Sequence, residues 1–218
     1  ILPNAEISNV KMIIFDKDWT LIDIHHYWCS MIKFRAEFLV NSILDIDKKA
    51  LYEDLISSMG IDSKTKRMKP EGPVGIKPRS FIVDVAHKTI LKYRMDINKD
   101  KVIKIFAEVD EYSKTKLKDI VKPLAGVLEL LHNLKQVGIL ASVATTDLTH
   151  RAVLSMKVLA LEDYFIDIIG VDLVRNAKPS ADLVNYIVDK NRLAYDEIVI
   201  IGDSMVDLSM AKNAKCKF

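Results

Sequence analysis

The sequence predicts an α/β fold, a parallel sheet covered by helices and interrupted after its first strand by an all-helical insert. Three observations carry this. Short apolar runs stop abruptly at a carboxylate or hydroxyl residue, as Met12-Ile13-Ile14-Phe15 does at Asp16. From Val121 onward such runs alternate with amphipathic stretches, the pattern of parallel strands joined by right-handed crossovers. Between about Ile24 and Lys122 the strand signal disappears and helical periodicity replaces it.

In chain order, Met12–Phe15 is the first strand, too apolar to leave either face in water. Tyr27–Leu44, Lys48–Met59, Ser80–Tyr93 and Lys99–Val121 read as helices. Gly60–Pro78 holds Gly72, Pro73, Gly75 and Pro78 and reads as a loop. Beyond the insert, Ala125–Val137 spaces Leu128, Leu131, Leu134 and Val137 as one helical face, with Gly138 as its stop. Strands follow at Ile139–Ala144, Ile166–Gly170 and Ile198–Ile201, and helices at Asp147–Leu159, Ser180–Asn191 and Met205–Ala214. The domain reading is a core made of 1–23 with 122–218, and a helical cap over 24–121. An insert there suggests a lid, with Trp28 and Phe34 in the lid's own core.

Bulk composition narrows the function. The chain has 218 residues, half of them hydrophobic, enough for a sizeable core. A net charge of +2, from 32 basic and 30 acidic residues, gives no reason to expect nucleic acid or an anionic membrane as partner. Cys29 and Cys216 lack C-x-x-C neighbours, and the five histidines lack metal-ligand spacing, so zinc and a disulfide framework are not expected. His25-His26 reads as the start of a helix. No apolar run approaches the ~20 residues of a membrane span. Ile1-Leu2-Pro3-Asn4-Ala5-Glu6 lacks the pattern of a signal peptide. A cytoplasmic location is the expectation. The chain opens without Met and closes on Lys215-Cys216-Lys217-Phe218, which has strand character, so extension at either end is left open.

In an open parallel sheet, ligands bind beyond the carboxyl ends of the strands, so polar residues at those ends carry the functional signal. Asp16 ends the first strand and Asp18 follows, so both can face one spot while Lys17 points away. Thr145 and Thr146 end the second strand of the core. Lys178 precedes Pro179 at a helix start, and Asp203 and Asp207 follow the last strand. Four carboxylates repel unless a hard cation sits among them, and magnesium fits an all-oxygen set that must also receive phosphate. A carboxylate beside it can attack phosphorus and split hydrolysis into two easier steps. The bland alternatives are helix caps and turns: Asp207 alone reads as a cap, and Thr145, Thr146 and Asp147 compete to cap the following helix.

Taken together, Asp16-Lys17-Asp18-Trp19-Thr20, Thr145, Lys178 and Gly202-Asp203-Ser204-Met205-Val206-Asp207 resemble the haloacid dehalogenase superfamily motifs D-x-D-x-T, strand-ending Thr, Lys and G-D-x-x-x-D. Asp163-Tyr164-Phe165 and Lys178-Pro179 are similar to the phosphoglycolate phosphatase-like branch, and the resemblance spans roughly residues 10 to 214. It implies a Rossmann-like core with an inserted helical cap. It further implies Asp16 as nucleophile and metal ligand, and Asp18 as general acid and then base, its main-chain carbonyl also on the metal. Thr145, Thr146 and Lys178 would hold phosphate, Asp203 would hold Mg2+, and Asp207 and Thr20 would support the site. The chain departs from this branch at Trp19, where glycine is usual. The indole either shapes the leaving-group pocket or weakens catalysis.

The expected activity is a magnesium-dependent phosphatase acting on a small phosphorylated metabolite. A sugar phosphomutase of the same superfamily and a weakened binding protein stand as alternatives. The presence of Asp18 argues against a dehalogenase, because halide leaves without a proton. The basic run Lys64–Lys69 reads as a solvated loop, although it or Arg79 could meet a second anionic group on the substrate.

Overall fold

In chain order the elements are β1 (Met12–Phe15), α1 (Ile24–Asn41), α2 (Lys48–Ser58), β2 (Ile61–Asp62), β3 (Arg67–Met68), α3 (Arg79–Leu91), α4 (Lys99–Thr115), α5 (Leu117–Ile120), α6 (Val127–Gln136), β4 (Leu140–Ala144), α7 (Thr149–Val158), β5 (Asp167–Ile169), α8 (Asp182–Asn191), β6 (Ile198–Ile201) and α9 (Met205–Ala214). These come from a computed structural model that describes residues 7–43, 47–95 and 97–218. The amino-terminal hexapeptide and Leu44, the expected end of the first insert helix, lie outside the described residues.

The chain divides into two compact units, one of residues 1–23 with 123–218, the other of Ile24–Lys122. In the first, four parallel strands stand in the order β5-β4-β1-β6. Strand β1 is central because it is the most completely apolar: all four of its residues are buried. Its register sets Phe15 opposite Val143 on one side and Ile201 on the other. The residues just past those positions, Asp16, Thr145 and Asp203, therefore leave the sheet at nearly one level. The chain moves outward from β1 to β4 and β5, then crosses back to β6 on the opposite side. This reversal opens a crevice beyond the strand ends, the place where such sheets bind ligands.

Alternate residues of β1 face opposite sides of the sheet. Met12 and Ile14 join Ile198 and Ile200 of β6, Leu183, Val184 and Ile187 of α8, and Met210 and Ala211 of α9 in one buried cluster. Burying a Leu- or Ile-sized side chain contributes roughly 1.5–3 kcal/mol, so this cluster is what fixes α8 and α9 against the strands. The closing residues extend the sheet edge: the Ile200 amide donates to the Lys217 carbonyl at 2.9 Å, and the Lys217 amide to Ile198 at 3.2 Å.

The second unit is α1 to α5 around its own core, built from residues such as Ile32, Leu39, Leu51, Leu55, Ile90 and Phe106. Trp28 packs against that core, while Phe34 is half-buried outside it and meets Tyr112 edge-on at 5.2 Å. Two sequence expectations are corrected. Gly60–Pro78 is not loop throughout, because β2 and β3 form a small antiparallel ribbon. Asp62 closes its turn by accepting from the amides of Lys64 and Thr65 at 2.8 and 3.0 Å, chemistry that a search for apolar alternation does not see. The helix expected over Lys99–Val121 breaks at Lys116, where φ is −112° and ψ 11°. The basic run lies on the ribbon, and Lys69 bonds the Ser57 carbonyl and hydroxyl at 2.8 and 2.7 Å. His25 accepts from the Met68 amide, and His26 meets the Asp119 carbonyl, so both serve local structure. Among the described residues, no helix is long and apolar enough to cross a membrane.

Candidate active site

Strand β1 delivers Asp16 to the crevice, and its amide is fixed by the Ile201 carbonyl of β6 at 2.8 Å. The Lys178 ammonium arrives from the segment between β5 and α8. It bonds Asp16 and Asp207 at 2.7 Å each, with only 2% of its side chain exposed. The loop that carries it is held from α9, where Asn213 donates to the Pro179 carbonyl at 2.8 Å. An ammonium this deeply buried is costly unless it is paired, and two carboxylates pair it.

Helix α9 supplies Asp207 through a capping box. Ser204 donates to the Asp207 carboxylate from its amide and hydroxyl, at 3.2 and 2.5 Å, and accepts from the Asp207 amide. Asp207 therefore does the capping job expected of it and faces Lys178 as well. Gly202 makes the approach possible: a Cβ there would lie 2.4 Å from the Asp207 carboxyl carbon. Asp203 is exposed at the mouth. Carboxylate oxygens of Asp16, Asp203 and Asp207 lie within 4.8 Å of one another.

Crowding shows in the proton affinities. Burial raises the Asp16 pKa to about 6, against the pull of Lys178. Burial also raises Asp203, with Asp207 adding repulsion. Asp207 is pushed up by burial too, but hydrogen bonds from Lys178 and Ser204 outweigh this and leave it below the ordinary carboxylate range. The neighbouring acids are thus poised at different proton affinities.

The turn after Asp16 corrects one expectation. Lys17 does not point away: its side chain is 6% exposed, and its ammonium meets Asp18 at 2.8 Å and Asp147 at 3.2 Å. Strict alternation holds only in extended backbone. Here the chain turns at once, with the Leu21 and Ile22 amides bonding back to the Lys17 carbonyl at 2.9 and 3.1 Å. The Asp18 carboxylate is thus tied to Lys17, while the three carboxylates that converge are Asp16, Asp203 and Asp207. Trp19 has φ 65°, a left-handed conformation that glycine takes freely. The Thr20 hydroxyl oxygen is buried with no hydrogen-bond partner among the described residues.

Thr145 is buried, and its hydroxyl oxygen accepts from the Asp147 amide at 3.1 Å. Thr146 is exposed. Neither they nor Asp147 cap α7 as expected: its cap position is Leu148, and Asp172 accepts from the Thr149 amide at 2.7 Å instead. Lys17, Asp147 and Ser204 are site neighbours that the sequence reading passed over. A carboxylate two residues past the strand-ending Thr was the available signal for Asp147.

Comparison with known proteins decides the family. The Haloacid dehalogenase-like hydrolase family profile matches residues 13–218. The chain belongs to that family. This hydrolase is 23% identical over 219 residues to a phosphoglycolate phosphatase of Vibrio vulnificus strain YJ016, covering 96% of this chain and 82% of that one. It is 24% identical over 121 residues to the pyrophosphatase PpaX of Halalkalibacterium halodurans, covering 56% of each. Among solved structures, a HAD-superfamily hydrolase of subfamily IA from Geobacter sulfurreducens superposes with a TM-score of 0.67 at 17% identity, covering 95% and 85% of the two chains. A Thermotoga maritima protein assigned as a beta-phosphoglucomutase gives 0.64 at 19%, covering 95% and 82%. The hydrolase thus shares their parallel-sheet fold.

Proposed function

We propose that this hydrolase is a magnesium-dependent phosphatase of small phosphorylated metabolites that works through an aspartyl phosphate on Asp16. One observation supports it above the others: Asp16, at the end of the central strand, is flanked by the buried Lys178 ammonium and by two further carboxylates. The names of the relatives point to the same substrate class.

The donor set suits a hard divalent cation, since Asp16, Asp203 and Asp207 offer only oxygen and their oxygens are close enough to share one ion. Asp16 and Asp203 would hold it, with the Asp18 carbonyl, and Asp207 would hold it directly or steady the site around it. When bound, magnesium supplies positive charge against the phosphoryl oxygens.

An Asp16 oxygen attacks phosphorus, and the bond from phosphorus to the ester oxygen breaks. Asp18 gives its proton to that leaving oxygen. Water then attacks the aspartyl phosphate, Asp18 takes the water's proton, and the Asp16–phosphorus bond breaks. Alcohol and phosphate leave and both aspartates are restored. Lys178 and Thr145 hold phosphoryl oxygens throughout, Thr146 adds a further hydroxyl, and Thr20 steadies the turn. The helical unit acts as the specificity cap, and the enzyme works in the reducing cytoplasm, a compartment in which disulfides are rare.

The test is phosphate release with magnesium from a panel of sugar phosphates, nucleotides and phosphoglycolate. Free phosphate from at least one ester, lost in Asp16→Asn, supports the reading. An isomerised hexose phosphate without free phosphate would make the protein a mutase, and no turnover anywhere would make it a binding protein.

A further inference from the structure

Lys17 occupies the middle of the first motif, between the proposed nucleophile and the proposed proton-transfer residue. Its backbone carbonyl closes the turn by accepting from Leu21 and Ile22. Its side chain runs inward, 94% buried, to an ammonium shared by two carboxylates. One of these belongs to Asp18, whose side chain is 42% exposed and so has room to swing. The other belongs to Asp147, on the loop after β4.

Asp147 is itself fixed on several sides. Its amide donates to the Thr145 hydroxyl oxygen at 3.1 Å. Its carbonyl accepts from Val171 at 3.0 Å, and its other carboxylate oxygen accepts from the Leu148 amide at 2.8 Å and approaches Arg151 at 3.4 Å. Gly170 packs so closely beneath this loop that a Cβ there would lie 2.5 Å from the Asp147 carbonyl oxygen. Asp147 is therefore a rigid post, and Lys17 is the tie between it and Asp18.

We infer that Lys17 is a positioning residue. It clamps the Asp18 carboxylate to the Asp147 post, so that the proton-transfer residue and the Thr145 hydroxyl are held at a fixed separation. The inference rests on the reading of Asp18 as acid and base. Its physical content is orientation: a long, ordinarily solvated side chain has been buried to hold an exposed carboxylate in one place. Proton transfer by a well-placed group contributes roughly 10²–10⁴-fold, and a displacement of about 1 Å forfeits much of it. A lysine that only stabilised the fold would leave the chemistry of a folded variant unchanged.

The experiment compares Lys17→Met and Lys17→Arg with wild type on an alkyl phosphate, whose leaving group needs a proton, and on p-nitrophenyl phosphate, whose leaving group does not. Thermal melting confirms folding of each variant. The expected result for Lys17→Met is a fall in kcat of roughly 10- to 100-fold on the alkyl ester with KM little changed. The fall in the phosphorylation step is smaller on p-nitrophenyl phosphate, and acid quenching traps more phosphoenzyme, because removal of the water's proton is slowed as well. Lys17→Arg recovers part of the alkyl ester rate. A uniform loss on both esters without phosphoenzyme build-up, or wild-type kinetics in Lys17→Met, overturns the inference. Asp18→Asn separates the two claims. A wild-type rate in that variant removes the acid-base reading and the inference with it. An inactive Asp18→Asn beside an unaffected Lys17→Met removes the inference alone.

Discussion

Lys178 in the α/β unit and Arg35 in the helical unit are both buried cations facing aspartate, yet their surroundings differ. Lys178 has two carboxylates at 2.7 Å each. Arg35 shares Asp110 with Arg79, stands 3.5 Å from it, and lies over the Phe106 ring at 4.6 Å. Its Nε has no hydrogen-bond partner among the described residues. Burial lowers the Arg35 pKa even though Asp110 pulls it up. The arginine is thus a packing element whose charge is tolerated, whereas the lysine is held with its charge fully met in a place where anions converge. The same class of residue at the same depth serves packing in one unit and a cluster of carboxylates in the other, and the number and closeness of partners tell them apart.

The largest effect expected from breaking this comparison is in turnover. Lys178→Met and Asp16→Asn are each expected to lower kcat by about 10³-fold or more, because each removes a group that, in the proposed mechanism, touches the transferring phosphoryl. Arg35→Met leaves kcat within about two-fold and shifts stability by about 1 kcal/mol in either direction, since a buried ion replaced by an apolar side chain of similar size is often neutral. Steady-state kinetics and denaturant titration on the three variants check the contrast. A large kinetic loss in Arg35→Met would erase it.

The next effect is on stability, and it has a sign. Asp16 has a folded pKa of about 6 against an ordinary 3.8. Between those values the folded protein holds a proton that the unfolded chain has lost, so stability falls as pH rises through this window. Above about 6 the cost is fully present, on the order of 3 kcal/mol, and below 3.8 it is absent. Metal-free Asp16→Asn is therefore more stable than wild type at pH 8, by up to about that amount, and equal to it near pH 3.5. Melting in the presence of a chelator measures this. A destabilised variant at pH 8 would mean that the bond to Lys178 outweighs burial.

Gly202→Ala tests how the third carboxylate reaches the site. The added carbon would fall 2.4–2.6 Å from the Asp207 side chain, so Asp207 must move or the strand end must give. Overpacking of this kind costs about 1–3 kcal/mol. The prediction is a loss of that size by denaturant titration, together with weaker magnesium activation, since Asp207 leaves Lys178 and the shared carboxylate cluster. Unchanged magnesium dependence would separate Asp207 from the metal.

Much of this was legible in the sequence, and the legible parts share a cause. Met12–Phe15 and Ile198–Ile201 match their expected bounds because short apolar runs ended by Asp16 and Gly202 leave little choice of ends, and Met205–Ala214 matches as well. Asp16, Lys178 and Asp207 could be placed on one crevice because strand ends in a parallel sheet lie on one side. What escaped was built by turns and single side chains. The β2–β3 ribbon depends on Asp62 closing its turn, and α7 starts at Thr149 because a distant Asp172 accepts its first amide. The burial of Lys17 follows from a turn that begins one residue earlier than strand alternation assumes. None of these leaves a periodic trace in the sequence.

The smallest effect sharpens the same contrast between a site's needs and the fold's needs. Trp19 holds φ 65° in a tight turn, where its amide donates to the Ile22 carbonyl at 3.1 Å and the Leu21 and Ile22 amides return to Lys17. A side chain with a Cβ is strained there by roughly 1–2 kcal/mol per residue, and glycine is not. Relieving strain is offset in part by the extra freedom glycine gives the unfolded chain, so Trp19→Gly gains about 1 kcal/mol at most. Melting temperature reads the gain, and kcat/KM on small and bulky esters reads the function. A more stable variant with altered discrimination between esters means that the indole is kept for the substrate at a cost to the fold. A more stable variant with faster turnover on every ester means that Trp19 restrains the site, and a less stable one means that contacts of the indole outweigh the strain of its backbone.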